Sequence, residues 1–141
     1  MPLPLLSLVG FSVWTAFIMA VGVGTHRWSH ILFGSARLSD FPGDMPHGPD
    51  RYRRIVRAHA NCIENLPIFT ALVMTASALD YRSELFDALC LAVILARVTQ
   101  TTIHIASGTD RAIAFRFTFF TVQLCAFFAM AALIIASAEW R

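Results

Sequence analysis

Charged side chains in this sequence come in clumps, and the gaps between the clumps are long enough to cross a lipid bilayer. Most of the charges lie between His26 and Arg57, near residues 80–87, or near residues 110–116. Between them run four apolar stretches, at residues 3–24, 55–79, 85–106 and 112–138. A helix needs about 20 apolar residues to cross the hydrocarbon core. Hydrophobic residues make up 57% of the 141 residues and charged ones only 14%, too few to clothe a water-facing surface. The pattern therefore predicts an all-α integral membrane four-helix bundle filling residues 1–141, with no soluble domain. The opening "MPLPLLSLVG" has no cation, and the first, Arg27, follows the apolar run, the reverse of a secretory signal.

The joints are legible from turn chemistry. "SDFPGDMPHGPD" is too rich in Pro, Gly and Asp to be helical and marks an extended loop within residues 25–54. "DYRSE" is short, so the second and third helices should be antiparallel neighbours. In "SGTDR", Gly108 ends one helix and Thr109 or Asp110 caps the next. Arg27, Arg37, Arg51, Arg53 and Arg54 fall in or beside the long loop, with Arg111 and Arg116 at the third joint. The other face has only Arg82 and Arg141. The positive-inside bias puts the loop in the cytoplasm and both termini on the non-cytoplasmic side.

Polar side chains recur inside the apolar stretches. Arg57, Asn61 and Glu64 stand at i, i+4 and i+7 in "RAHANCIENLPIF" and line one helix face; Arg54 extends the line. Pro67 removes a backbone bond where the stripe ends and should bend the helix. Arg97, Gln100 and His104 repeat the spacing on the third helix, and Arg116 and Gln123 stand seven apart on the fourth. A charge near mid-membrane costs about 2.5–3.5 kcal/mol on insertion scales, so these faces should meet one another or a neighbouring subunit rather than lipid. Glu64 is the expected partner of Arg97.

Other residues read as structural. Cys62, Cys90 and Cys125 sit singly in three different stretches without a C-x-x-C, as small hydrophobes do. His26 and His30 are four apart but lack a third ligand, so no metal is expected. His59 is one residue off the polar face, and Trp14, Trp28 and Trp140 read as packing or interface residues. All the basic side chains apart from His are Arg, and a net charge of +2 points to no nucleic acid partner. Arginines near Asn and one Glu suit a zwitterionic ligand, with carboxylates for the cations and an ammonium for Glu64. Cations also lower a thiol from its usual pKa of about 8.5 and so favour thiolate. Glutathione meets these needs, though the composition does not single it out.

The stretch "RAHANCIENLPIF", read as Arg-x-x-x-Asn-x-x-Glu followed by Pro and Phe, resembles the second-helix signature of the MAPEG proteins (membrane-associated proteins in eicosanoid and glutathione metabolism). "ARVTQTTIH" and the position of Arg116 extend the likeness over nearly the whole chain. The resemblance implies a homotrimer with glutathione as co-substrate, bound between adjacent subunits in the cytoplasmic half of the membrane. It implies that Arg57, Asn61 and Glu64, with Arg54 beside them, hold the peptide. His104 stands where many members have a ligand-contacting Tyr. It further implies that Arg116 stabilises the thiolate with Arg27 in support, and Asp44 is aligned with an acidic loop residue of prostaglandin E synthase-like members. Phe120 and Phe117 replace a Tyr and a Ser found in some members, which argues against prostaglandin-type isomerisation. The pattern resembles the bacterial branch more than the others, which implies a bacterial inner membrane.

Three functions follow as expectations. The leading one is a glutathione-dependent transferase or peroxidase acting on a lipophilic electrophile that enters from the bilayer. The alternative, which the resemblance also allows because the family includes the lipoxygenase-activating protein, is a non-catalytic lipid-binding or scaffold trimer. A small transporter subunit is the third, weakened by the absence of broken-helix repeats.

Overall fold

The computed structural model describes residues 1–34, 37, 40–41 and 48–138. Asp44, Trp140, Arg141 and most of the long loop lie outside the described residues. What is described is helical: α1 (Leu3–Phe17), a π-helical segment (Ile18–Gly24), α2 (Thr25–Leu32), α3 (Asp50–Ala78), α4 (Glu84–Ala106) and α5 (Asp110–Ala138). The first three pieces run into one another without a break, so the chain makes four long rods.

Local chemistry sets the rod ends. Proline near the start of α1 suits a first turn whose N–H groups have no partner in any case. The first rod does not stop near residue 24 as expected, because Thr25–Leu32 continues it for a further 8 residues. Likewise α3 begins at Asp50, whose carboxylate sits in the first turn, where helix dipoles favour negative charge. Pro67 lies inside α3 without ending it. After α3 the chain turns through Asp80 in the left-handed region, with φ of 48°. Ser83 then caps α4 by accepting from the Phe86 N–H at 3.4 Å. Thr109 caps α5 by accepting from the Ala112 N–H at 3.4 Å, so the hydroxyl rather than Asp110 does the capping.

Helix α4 packs against α1, α3 and α5, and α3 also contacts the π-helical segment. A Cβ at Gly22 would lie 2.5 Å from Ile55 Cγ2, so this glycine permits the close approach of the first rod to α3. Phe11, Phe69 and Phe127 tie α1, α3 and α5 together, with ring centroids 5.8 Å and 6.3 Å apart. Cys62 and Cys90 are buried in the same core, while Cys125 is exposed.

Polarity is inverted relative to a water-soluble domain. Arg97 is 1% exposed and Gln123 0%, whereas Phe117 is 70% and Phe128 69% exposed. Such a surface belongs in hydrocarbon. Three rods, Leu3–Leu32, Glu84–Ala106 and Asp110–Ser137, are long and apolar enough to cross a bilayer. The fourth, α3, is 29 residues long and so about 43 Å; it falls short in composition, since its first half carries the polar stripe. The chain is an integral membrane protein with a helical-bundle fold.

Candidate functional site

Four of the residues singled out in the sequence line a single cleft. Arg54 and Arg57 of α3, His104 of α4 and Arg116 of α5 border an opening of about 370 Å³ at the end of the bundle nearest the long loop. Asp50, Arg53, Gly108 and Ile113 complete its wall. A ligand pocket typically encloses about 300–1,000 Å³. Helices α3 and α5 contribute arginines and α4 a histidine, and the joint between α4 and α5 brings Gly108 to the rim.

Each side chain is placed by its helix. Asp50, Arg53, Arg54 and Arg57 stand at i, i+3, i+4 and i+7, one face of the first two turns of α3. Asp50 and Arg53 pair with each other. That hydrogen bond, reinforced by the charge of Arg53, holds the Asp50 carboxyl below the usual carboxylate range. Arg54 Nε donates to the Ile105 carbonyl at 3.3 Å, pinning α3 to the end of α4. His104 is buried and lies within the positive field of Arg116, Arg57 and Arg54.

Arg116 is positioned by an amide relay behind the cleft. Gln123 Nε2 donates to Gln100 Oε1 at 3.0 Å and to the Phe119 carbonyl at 3.0 Å. Gln100 Nε2 in turn donates to the Arg116 carbonyl at 3.0 Å. The relay pairs the amide donors of Gln123 and Gln100, though Gln123 Oε1 stays buried without a partner among the described residues, and it ties the α5 turn carrying Arg116 to α4. Arg116 Nε is buried with no hydrogen-bond partner among the described residues. An anion at the cleft would supply one.

The remaining expected site residues stand elsewhere on the single chain. Asn61 is half-buried, and its carbonyl accepts from Asn65 Nδ2 at 2.8 Å. Glu64 is exposed, as is Arg57, so the Arg57–Asn61–Glu64 stripe faces outward along α3. Neither Asn61 nor Glu64 is among the residues that line the cleft. Arg27 is held away from it on α2, where its Nε donates to the Tyr52 hydroxyl at 2.7 Å and its guanidinium lies over Phe41 at 5.6 Å. The rings of His26 and His30 are 4.6 Å apart, and His26 stacks on Tyr52 at 4.1 Å.

Arg97 differs from its expected arrangement. It points inward, over the Phe11 ring at 5.4 Å, and forms no ion pair with Glu64. Glu64 attracts it electrostatically but projects from the opposite, outer side of α3. Its Nε and Nη2 have no hydrogen-bond partners among the described residues. The sequence pattern pointed to no role at the cleft for Ile113 of α5, nor for Asp50 and Arg53 of α3. The spacing of Asp50 and Arg53 ahead of Arg54 and Arg57 would have revealed them had the helix been started at Asp50 rather than at residue 55.

A sequence model described as the MAPEG family matches residues 1–136. No curated protein matches the chain.

Proposed function

The chain belongs to the MAPEG family, and from that premise we propose that it is a membrane-bound glutathione-dependent transferase or peroxidase acting on lipophilic electrophiles. The observation that carries the reading is the convergence of Arg54, Arg57, His104 and Arg116 on one cleft, with a buried Arg116 N–H lacking a partner. Glutathione brings two carboxylates for the α3 arginines, which bind such groups through forked, charge-assisted hydrogen bonds. Its ammonium needs a carboxylate, for which Asp50 and Glu64 are the candidates. Its sulfur, placed at Arg116, is held as thiolate by the guanidinium.

The transferase reaction is then a displacement or addition at carbon. In a displacement the thiolate electron pair forms a C–S bond as the leaving group departs with the electrons of the bond it vacates. In an addition the π pair moves onto the neighbouring atom, which takes a proton from water. In the peroxidase reaction the thiolate takes the outer oxygen of a hydroperoxide as the O–O bond breaks and an alcohol leaves, and a second glutathione then displaces water to close the disulfide. Arg116 stabilises the thiolate, and a site closed to water strengthens that attraction. The exposed Phe115 and Phe117 beside Arg116 give an apolar substrate a route from the bilayer.

The outward Arg57–Glu64 stripe supports a homotrimer. Left against acyl chains, each of these charges would carry a penalty of about 2.5–3.5 kcal/mol. A neighbouring subunit packed on α3 would remove it, and would let Arg27 approach the cleft from across the boundary. Clustered cations near the long loop support a cytoplasmic cleft, with both termini on the other side of a bacterial inner membrane.

A non-catalytic lipid-binding trimer is the second reading, favoured by the phenylalanines at 117 and 120 in α5. Calorimetry with glutathione on detergent-purified protein, together with conjugation of an aromatic halide, separates the two. The enzyme reading expects binding and turnover in the wild type, weakened binding in Arg57→Ala, and turnover lost with binding retained in Arg116→Ala. Absence of glutathione binding would refute it; binding without turnover of any electrophile favours the second reading.

A further inference from the structure

A second opening, of about 600 Å³, runs along the first rod on a different side of α3 from the basic cleft. One wall is a single helix face, on which Trp14, Ile18, Val21, Thr25 and Ser29 follow at steps of three or four. From Trp14 to Ser29 that face is about 22 Å long. Ile55 of α3 and Ile105 of α4 form the opposite wall, with Arg51 and Tyr52 at one end.

The groove changes chemistry along its length. Trp14, Phe17, Ile18 and Val21 make one half apolar, whereas Thr25, His26 and Ser29 make the other polar. The change falls where the first rod passes from the apolar run into the polar residues of α2, the level at which lipid headgroups meet hydrocarbon. Phe17 and Val21 are exposed, so the apolar half is open sideways to the bilayer. Among the described residues neither Asp nor Glu lines the groove, and Arg51 is exposed with no ion pair. A neighbouring cleft of about 400 Å³ shares Trp14, Arg51 and Ile105 and adds Arg54, extending the positive field.

We propose that this groove is a binding site for an anionic phospholipid of the surrounding bilayer. One acyl chain lies along Trp14 to Val21, the other remains in the bilayer, and the phosphate is held by the fork of Arg51. An unpaired guanidinium at the polar end of a sideways-open apolar channel matches a ligand already standing at that depth with its charge outward. The site is independent of the glutathione reading, because it shares none of the cleft residues assigned to that ligand except Arg54 in its side branch.

The test uses the full chain in mild detergent with equal amounts of phosphatidylglycerol and phosphatidylcholine of matched acyl chains, and reads retained lipid by native mass spectrometry. The wild type should retain phosphatidylglycerol in about fivefold preference, the worth of one interfacial arginine. Arg51→Gln should abolish the preference, while Arg111→Gln, an equal loss of charge at an exposed position outside the groove, should keep it. Val21→Phe, which fills the apolar half, should lower phosphatidylglycerol retention. Equal retention of the two lipids by the wild type, a preference that survives Arg51→Gln, or full retention in Val21→Phe overturns the proposal. So does displacement of the phospholipid by added oleate, which would make the occupant a fatty acid.

Discussion

Two polar stripes with nearly the same sequence spacing end up facing opposite ways. On α4, Arg97, Gln100 and His104 are buried, and Gln100 is bonded within the chain to the backbone and to Gln123 of α5. On α3, Arg57 and Glu64 are exposed, and only Asn61 is half-covered. Within the α4 stripe the single chain completes Gln100, while Arg97 keeps two nitrogens without partners among the described residues and His104 borders the cleft. The α3 stripe is not completed within the chain, and its charges call for a ligand or another subunit. Stability and function therefore separate by residue more than by helix: Gln100 holds α4 to α5, whereas His104 joins the outward α3 arginines at the cleft.

Substitutions can break this division or sharpen it. The largest expected effect is on the cleft. Arg116→Ala should lower conjugation turnover by about 10²–10³-fold, or roughly 2.7–4 kcal/mol, as loss of a charge-stabilising donor does. Its unfolding midpoint should scarcely move; a large drop in stability would show that Arg116 belongs with the inward stripe. Next comes Arg97→Met. Because two of its nitrogens are buried without partners among the described residues, replacing the charge with a side chain of similar length should stabilise the protein by about 1–4 kcal/mol. Thermal unfolding in detergent measures it, and a destabilised variant would show that a second subunit supplies the missing partners. Gln123→Leu should lose about 1 kcal/mol in the same assay, the usual worth of an interhelical hydrogen bond in a membrane protein. The smallest effect is Thr109→Ala. Its 3.4 Å capping bond is long, so the loss should be about 0.5 kcal/mol and leave glutathione binding untouched.

Much of this was legible beforehand because bilayer thickness and helix geometry leave few choices. The apolar runs placed four rods, and "SGTDR" placed the cap at its hydroxyl or its carboxylate, with Thr109 the one the structure uses. Three helices whose polar faces could not all meet lipid were expected to turn them toward one another, and Arg54, Arg57, His104 and Arg116 do meet in one cleft, whereas Asn61 and Glu64 of the same α3 face do not reach it. Other features were not legible. The first rod outlasts its apolar run because α2 carries it on for about two more turns, held to α3 by His26 stacking on Tyr52 and by Arg27 donating to the Tyr52 hydroxyl. The pairing of Arg97 with Glu64 was drawn from opposite charges at similar depth, but depth does not say on which side of a helix each stands.

Periodicity and hydrocarbon thickness were enough, from the residues alone, to establish an all-helical membrane chain and to group its polar side chains by face. Which way each face turned was decided only when the rods packed. A repeat of 3.6 residues fixes angles within one helix but leaves its rotation about its own axis to the shapes of its neighbours. At Gly22 the first rod comes close enough to α3 to touch Ile55, and α3 in its turn buries Cys62 and Phe69 toward the core. That one rotation turns Glu64 outward and leaves Arg97 facing Phe11.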